Sequence, residues 1–188
     1  CRRNNTSNGL IVVFVAGPPL ELIRDFINTL DVEAGVDQLI SPASMKAWLH
    51  GKSVDVGRVT TADMDTAREL RESLRALALA NHEDRDTSAE CSELCHIVAP
   101  LTLSVVFLDG APQLVPTETG VRGFLQQLLT DAVTAAQRGE WDRLKVCPDD
   151  ACQWAFIDTS KNGSRRWCSM EVCGNRNKTR SYRSRKAD

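Results

Sequence analysis

A chain of 188 residues with 42% hydrophobic and 26% charged residues has enough apolar side chains for a folded core, which excludes wholesale disorder. No apolar run approaches the roughly 20 residues that a membrane-spanning helix needs, so no membrane partner is expected. The net charge of −2 hides an asymmetry: residues 143–188 hold 11 Lys and Arg against 5 Asp and Glu, and the residues before them hold 12 against 20. The two parts should meet different partners, and only the basic one suits a polyanion.

In chain order, Leu10 to Ala16 read as a buried strand ended by Gly17-Pro18-Pro19. This run stands at the short limit for the apolar part of a signal peptide. Leu22, Ile23, Phe26, Ile27 and Leu30 recur at helical spacing and predict a helix over about 20–30. Ser41-Pro42 opens a second helix that stops at Gly51. Thr60 with Asp63 resembles a capping box, and the helix behind it runs through Leu70, Leu74, Leu77 and Leu79 to about Asn81.

A shorter helix covers about 88–98. Its Cys91, Cys95 and His96, with His82 upstream, suggest a second metal site. Packing of both cysteines as small apolar residues beside Leu94 and Val98 is the simpler reading. The stretch "LTLSVVFLDGAPQLVP" flanks Asp109-Gly110 and predicts a hairpin. An amphipathic helix, "GVRGFLQQLLTDAVTAAQRG", then closes at Gly139.

The expected fold class is therefore α+β, with a mostly helical first domain (residues 1–141) carrying a small β-sheet or hairpin, and a small cysteine-rich domain (142–188). In residues 1–142 no nucleophile–base pair, Gly-rich phosphate loop or carboxylate–histidine cluster stands out. His50, His82 and His96 fall in helix-like or helix-end contexts that suit structural roles, so no enzyme is expected.

Cys147, Cys152, Cys168 and Cys173 form two pairs of identical spacing. Two such pairs present four thiolates to one point, which is the closed tetrahedral cage of a structural zinc ion. Between them, "QWAFIDTSKNGSRRW" reads as a hairpin with Trp154 and Phe156 on one face and Asn162-Gly163 as its turn. So small a unit needs a cross-link, and zinc binding worth about 10–16 kcal/mol supplies one. Two disulfides would require an oxidising compartment, and a redox site would favour Cys-x-x-Cys. Thiolate ligands point instead to a reducing, cytoplasmic setting.

Beyond Cys173, Arg176, Arg180 and Arg183 fall on one face of a helix, flanked by Lys178, Arg185 and Lys186, with Tyr182 offering a ring. Arg165 and Arg166, expected on the preceding strand, would extend this patch. Such a surface suits phosphate contacts. Asn175 and Arg176 would reach a base edge or brace the finger. A solvated helix whose charges serve solubility is the plain alternative.

The stretch "RRWCSMEVCGNR" resembles the CGNR-type zinc fingers of bacterial proteins, and the likeness extends through "CQWAFIDTSKNGSRRWC" and "NKTRSYRSRK". In that family the finger follows an α/β domain called ABATE, which "LIRDFINTLD" and "MKAWL" resemble. The resemblance implies zinc ligation by Cys147, Cys152, Cys168 and Cys173 in a treble-clef-like hairpin and helix. It also implies a stress-induced transcription regulator, with a small-molecule effector for the first domain and DNA for the finger. A zinc-stabilised adaptor for RNA or protein is the alternative from another class.

Overall fold

A computed structural model describes residues 18–82 and 85–187; the predicted strand over 10–16 lies outside them. The fold is α+β. Helices α1 (Pro19–Ile27), α2 (Pro42–Gly51), α3 (Thr61–Ala80), α4 (Ser88–Val98) and α5 (Gly120–Gln137) make up the first part of the chain. Strands β1 (Leu30–Asp31) with β2 (Val36–Asp37), and β3 (Leu103–Leu108) with β4 (Ala111–Pro116), form two antiparallel hairpins within it. Strands β5 (Leu144–Val146) and β6 (Ala155–Ile157) pair as a third hairpin, and α6 (Asn175–Ala187) follows.

Local chemistry explains the helix boundaries. Ser41 and Ser44 form a reciprocal capping box at the start of α2, with Pro42 at the first helical position. Thr60 and Asp63 do the same for α3, so Asp serves where Glu or Gln is usual. α5 ends in paired bonds from Gly139 N–H to Ala136 O and from Glu140 N–H to Ala135 O, which satisfy two of its last carbonyls. No helix among the described residues is long and apolar enough to cross a membrane.

The core forms where α1, α2, α3 and α5 meet. Phe26, Trp48 and Phe124 pack together there with ring centroids 5.6–6.1 Å apart, Phe124 edge to face with both of the others and Phe26 tilted against Trp48. Ile23, Ile27, Leu49, Leu70, Leu74, Leu125 and Leu128 surround them, fully buried. Leu144, Val146 and Ala155 belong to this same core, so β5 and β6 pack against the helices.

Two expectations change. Cys91 and Cys95 are exposed, because α4 buries none of its residues and lies at the margin of the core through Leu94, Ile97 and Val98. The C-terminal hairpin has different strands: β6 pairs with β5, in the register Leu144–Ile157, Lys145–Phe156 and Val146–Ala155. Residues 158–167 are not a strand, so Arg165 and Arg166 sit on a loop. The turn at Gly163 does form, with Gly163 N–H bonded to Ser160 O at 3.2 Å.

Candidate metal centre and basic helix

Cys147 extends β5 by one bond, its N–H donating to Trp154 O at 2.9 Å. The chain then turns back through Asp149, whose carbonyl accepts from Cys152 N–H at 2.8 Å and Gln153 N–H at 3.1 Å. Gln153 takes a left-handed φ of 51° to re-enter β6. The first two cysteines thus stand at the closed end of a buried hairpin.

The second pair brackets one wide turn. Ser169 Oγ accepts from Val172 N–H at 3.2 Å, and Gly174 N–H donates to Ser169 O at 3.1 Å. Cys173 lies just before α6. A Cβ on Gly174 would lie 2.6 Å from Met170 Sδ and 3.3 Å from Trp167 Cδ1, so only glycine fits there without a shift.

The four Sγ atoms of Cys147, Cys152, Cys168 and Cys173 lie within 4.8 Å of one another. Cys152 and Cys168 are 3.5 Å apart, and Cys168 and Cys173 3.6 Å. Four sulfurs each about 2.3 Å from a zinc ion stand about 3.8 Å apart, so the set fits. Burial, with hydrogen bonds among the thiols, pushes the Cys173 thiol up to about 12 and that of Cys168 higher still. A divalent ion at the centre would supply the charge that four thiolates need.

Between the pairs, residues 158–167 are held by an ion pair rather than a ladder. Lys145 Nζ meets Asp158 Oδ2 at 2.9 Å, both side chains being buried, and it also donates to the carbonyl of Gly163. Asp158 accepts from Ser160 N–H at 2.9 Å, Ser160 Oγ at 2.6 Å and Arg165 N–H at 2.8 Å. Burial alone would raise its pKa; these bonds, from Ser160 and Lys145 foremost, outweigh it and hold the carboxyl well below the usual range. Arg165 donates to the carbonyls of Trp167 and Cys168 and stacks 4.9 Å over Phe156. Its guanidinium therefore positions the loop that presents Cys168.

Asp149 couples the first turn to α6. Its buried carboxylate accepts from Asn177 Nδ2 at 3.0 Å and lies 3.5 Å from both Arg176 and Arg180. Arg176 reaches further, to Glu33 in the β1–β2 turn at 2.6 Å. Asn175 Nδ2 bonds Glu171 O at 3.0 Å. Both side chains are thus engaged within the protein. Arg176, Thr179, Arg180, Arg183 and Ser184 line one shallow groove, so the three arginines do share a face. Lys178, Arg183, Arg185 and Lys186 are exposed.

Residues 20–139 match the ABATE family, described as "Putative stress-induced transcription regulator", and residues 143–186 match the CGNR zinc finger. The chain belongs to the ABATE family. No curated protein matches it. The four-cysteine cluster falls within the CGNR match and is consistent with one structural zinc ion.

Sequence reasoning missed the polar groups that dock the finger onto the ABATE part. Asn28 pairs with Ala155 as a strand would, donating to its carbonyl at 2.9 Å and accepting from its N–H at 2.8 Å. Arg75, buried on α3, donates to Gln153 O at 2.6 Å and Ile27 O at 2.7 Å. Asn81 donates to Leu144 O at 2.8 Å, and His82 Nε2 meets Val146 O at 2.6 Å. A carbonyl only accepts, which puts the His82 proton on Nε2. Buried arginine within an apolar helical stripe was the one available signal.

Beside this seam is a cleft of about 640 Å³ between α1 and β6, lined in part by Leu20, Arg24, Arg143, Trp154, Phe156 and Arg165.

Proposed function

We propose that the protein is a DNA-binding transcription regulator in which the zinc-stapled finger aims α6 at the phosphate backbone. The observation that carries this reading is the placement of Arg176, Arg180 and Arg183 along one groove of a helix that leaves a rigid cage. Zinc, when bound, supplies shape and no chemistry. Lys178, Arg180, Arg183 and Arg185 are the proposed phosphate contacts, since their side chains are exposed. Arg166, exposed on the loop before Cys168 and set over the Trp167 ring, is a further candidate, while Arg165, Asn175 and Arg176 contribute chiefly by holding the finger in form. The thiolate cage suits a reducing compartment, which favours the cytoplasm.

We also place the effector in the cleft between α1 and β6. Its lining joins the Trp154 and Phe156 rings with three arginines and two glutamates, Glu21 and Glu140, which suits a small, partly apolar ligand with polar groups, and binding there would touch both the ABATE part and the loop of Cys168.

The test is a fluorescence titration of Lys178→Ala/Arg183→Ala, two exposed residues away from the Asp149 carboxylate, against duplex DNA at several salt concentrations. Zinc content and Tm should stay at wild-type values. Affinity should fall on all sequences, and the slope of log K against log salt should flatten by about 0.9 for each lost contact. Unchanged affinity and slope in a folded finger would leave α6 a solvated helix. Binding of RNA in preference to duplex DNA would replace the regulator with an adaptor.

A further inference from the structure

Among the described residues, the β3–β4 hairpin carries two large apolar side chains that stand exposed. Val105 is 61% exposed and Phe107 75%. Among the described residues β3 pairs only with β4, and β4 in turn packs on α5.

The turn tells which backbone groups face outward. Asp109 and Gly110 have φ values of 51° and 80°, the two left-handed positions of a two-residue hairpin loop. The flanking pair, Leu108 and Ala111, then exchanges backbone hydrogen bonds, as do Val106 with Gln113 and Ser104 with Val115. Leu103, Val105 and Phe107 of β3 therefore turn their N–H and C=O groups away from the hairpin. So do Pro112, Leu114 and Pro116 of β4.

The two edges differ. On β4, two of those three positions are prolines, which carry no N–H, so that edge cannot continue a ladder. On β3 all three donors and acceptors are present. No charged residue occurs from Ala99 to Leu108, so β3 lacks the usual edge protection by lysine or proline. On one face the cross-strand pairs are Leu103–Pro116, Val105–Leu114 and Phe107–Pro112, all apolar.

We propose that β3 is a dimerisation strand: two copies pair β3 against β3, antiparallel, about a two-fold axis through Val105. The product is a four-stranded sheet in the order β4, β3, β3, β4. Three features favour a second copy as the occupant. Pairing Val105 with its own counterpart sets Leu103 against Phe107 and satisfies all three outward residues, forming about six hydrogen bonds. Registers shifted by two residues satisfy only two of them. An axis normal to the sheet keeps each face on its own side, so the apolar stripe runs on across the axis and Phe107 covers Leu103 of the other copy.

Charge points the same way. Residues 1–142 hold 20 acidic against 12 basic side chains, which opposes close approach of two copies, and an uncharged strand is where that repulsion is least. The isologous contact closes at two and leaves the proline-blocked β4 strands as the outer edges. This proposal does not depend on DNA binding.

The test uses the full zinc-loaded chain. Sedimentation equilibrium should show a dimer that dissociates on dilution. Val105→Pro removes an outward N–H and no bond to β4, so it should weaken self-association at least about tenfold with unchanged far-UV circular dichroism. A second variant gives a positive signal. In a background with Cys1, Cys91 and Cys95 replaced by Ser, Val105→Cys lies on the axis and should link to its own counterpart under copper–phenanthroline oxidation. Leu108→Cys, facing β4, should not. A wild-type chain that stays monomeric at its highest soluble concentration overturns the proposal. So does a dimer that tolerates Val105→Pro and gives no Val105→Cys cross-link.

Discussion

The ABATE helices and the CGNR finger are held together by opposite means. Around Phe26, Trp48 and Phe124 the cohesion is apolar area taken from water. From Lys145 onward it is four sulfurs, a buried Lys145–Asp158 pair and the Asp149 carboxylate. The first kind degrades gradually, methylene by methylene; the second is all or nothing, because a buried charge that loses its partner is worse than no charge. Yet Leu144, Val146 and Ala155 are members of the helical core. Two kinds of cohesion therefore meet within one packed body.

Removing the metal should break the finger most completely. Cys168→Ser, or chelation, forfeits binding worth about 10–16 kcal/mol. Zinc content should fall to zero and residues 147–187 should lose protection from hydrogen exchange. Because β5 and β6 lie in the shared core, the melting temperature of α1 to α5 should fall with them. An unshifted melt for those helices would show that the two regions are energetically separate despite their contact.

Next in size is Lys145→Ala, which strands the Asp158 carboxylate and should cost about 3–5 kcal/mol in chemical denaturation. Since Asp158 titrates lower in the folded chain than in the unfolded one, its stabilisation is complete above the ordinary carboxylate range near pH 4. It is lost as pH falls further. Asp158→Asn should remove that part of the acid limb of the stability curve.

The seam was the part least legible in sequence. Helix spacing, two capping boxes, the Asp109-Gly110 hairpin and the cysteine cage could all be read locally, since each depends on residues within a turn or two. Partner choice for β6 could not. Asn162-Gly163 does make a turn, but the chain leaving it is bound by Lys145 from a distant strand, so no ladder forms. Nor does anything near Asn28 announce that its amide completes a strand 127 residues away. The exposure of Cys91 and Cys95 had the same cause: α4 is amphipathic enough for a core position, but the tertiary fold leaves it at the margin.

A cut at this seam is the third prediction. Asn28→Ala leaves both polar groups of the Ala155 peptide buried without their partner and should cost about 1–3 kcal/mol. Zinc should remain bound. Loss of zinc in this variant would mean that the ABATE core shapes the cage as well as supporting it.

The smallest effect runs the other way. Burial on α5 raises the Asp131 carboxyl to about 6, against an opposing hydrogen bond from Gln127. Its favourable state is protonated: full stability holds below about pH 4 and is lost as pH rises through 6. Asp131→Asn should therefore stabilise at pH 7.5, by about 1 kcal/mol once solvent screening is allowed for, or about 2–4 °C in Tm. The gain should vanish near pH 4, and the finger should be indifferent to it.

The bond between Asn28 and Ala155 also bears on how the chain is made. A ribosome delivers α1 early and β6 late, so the helical core lacks Leu144, Val146 and Ala155 until synthesis has passed residue 157. At about 5–20 residues per second, the stretch from the end of α5 to the end of β6 takes about 1–4 s. During that interval the face of α1 and α3 that receives the hairpin stands open, exposed to chaperones or to another nascent copy. The first helix has to wait for a strand that the cell has not yet translated.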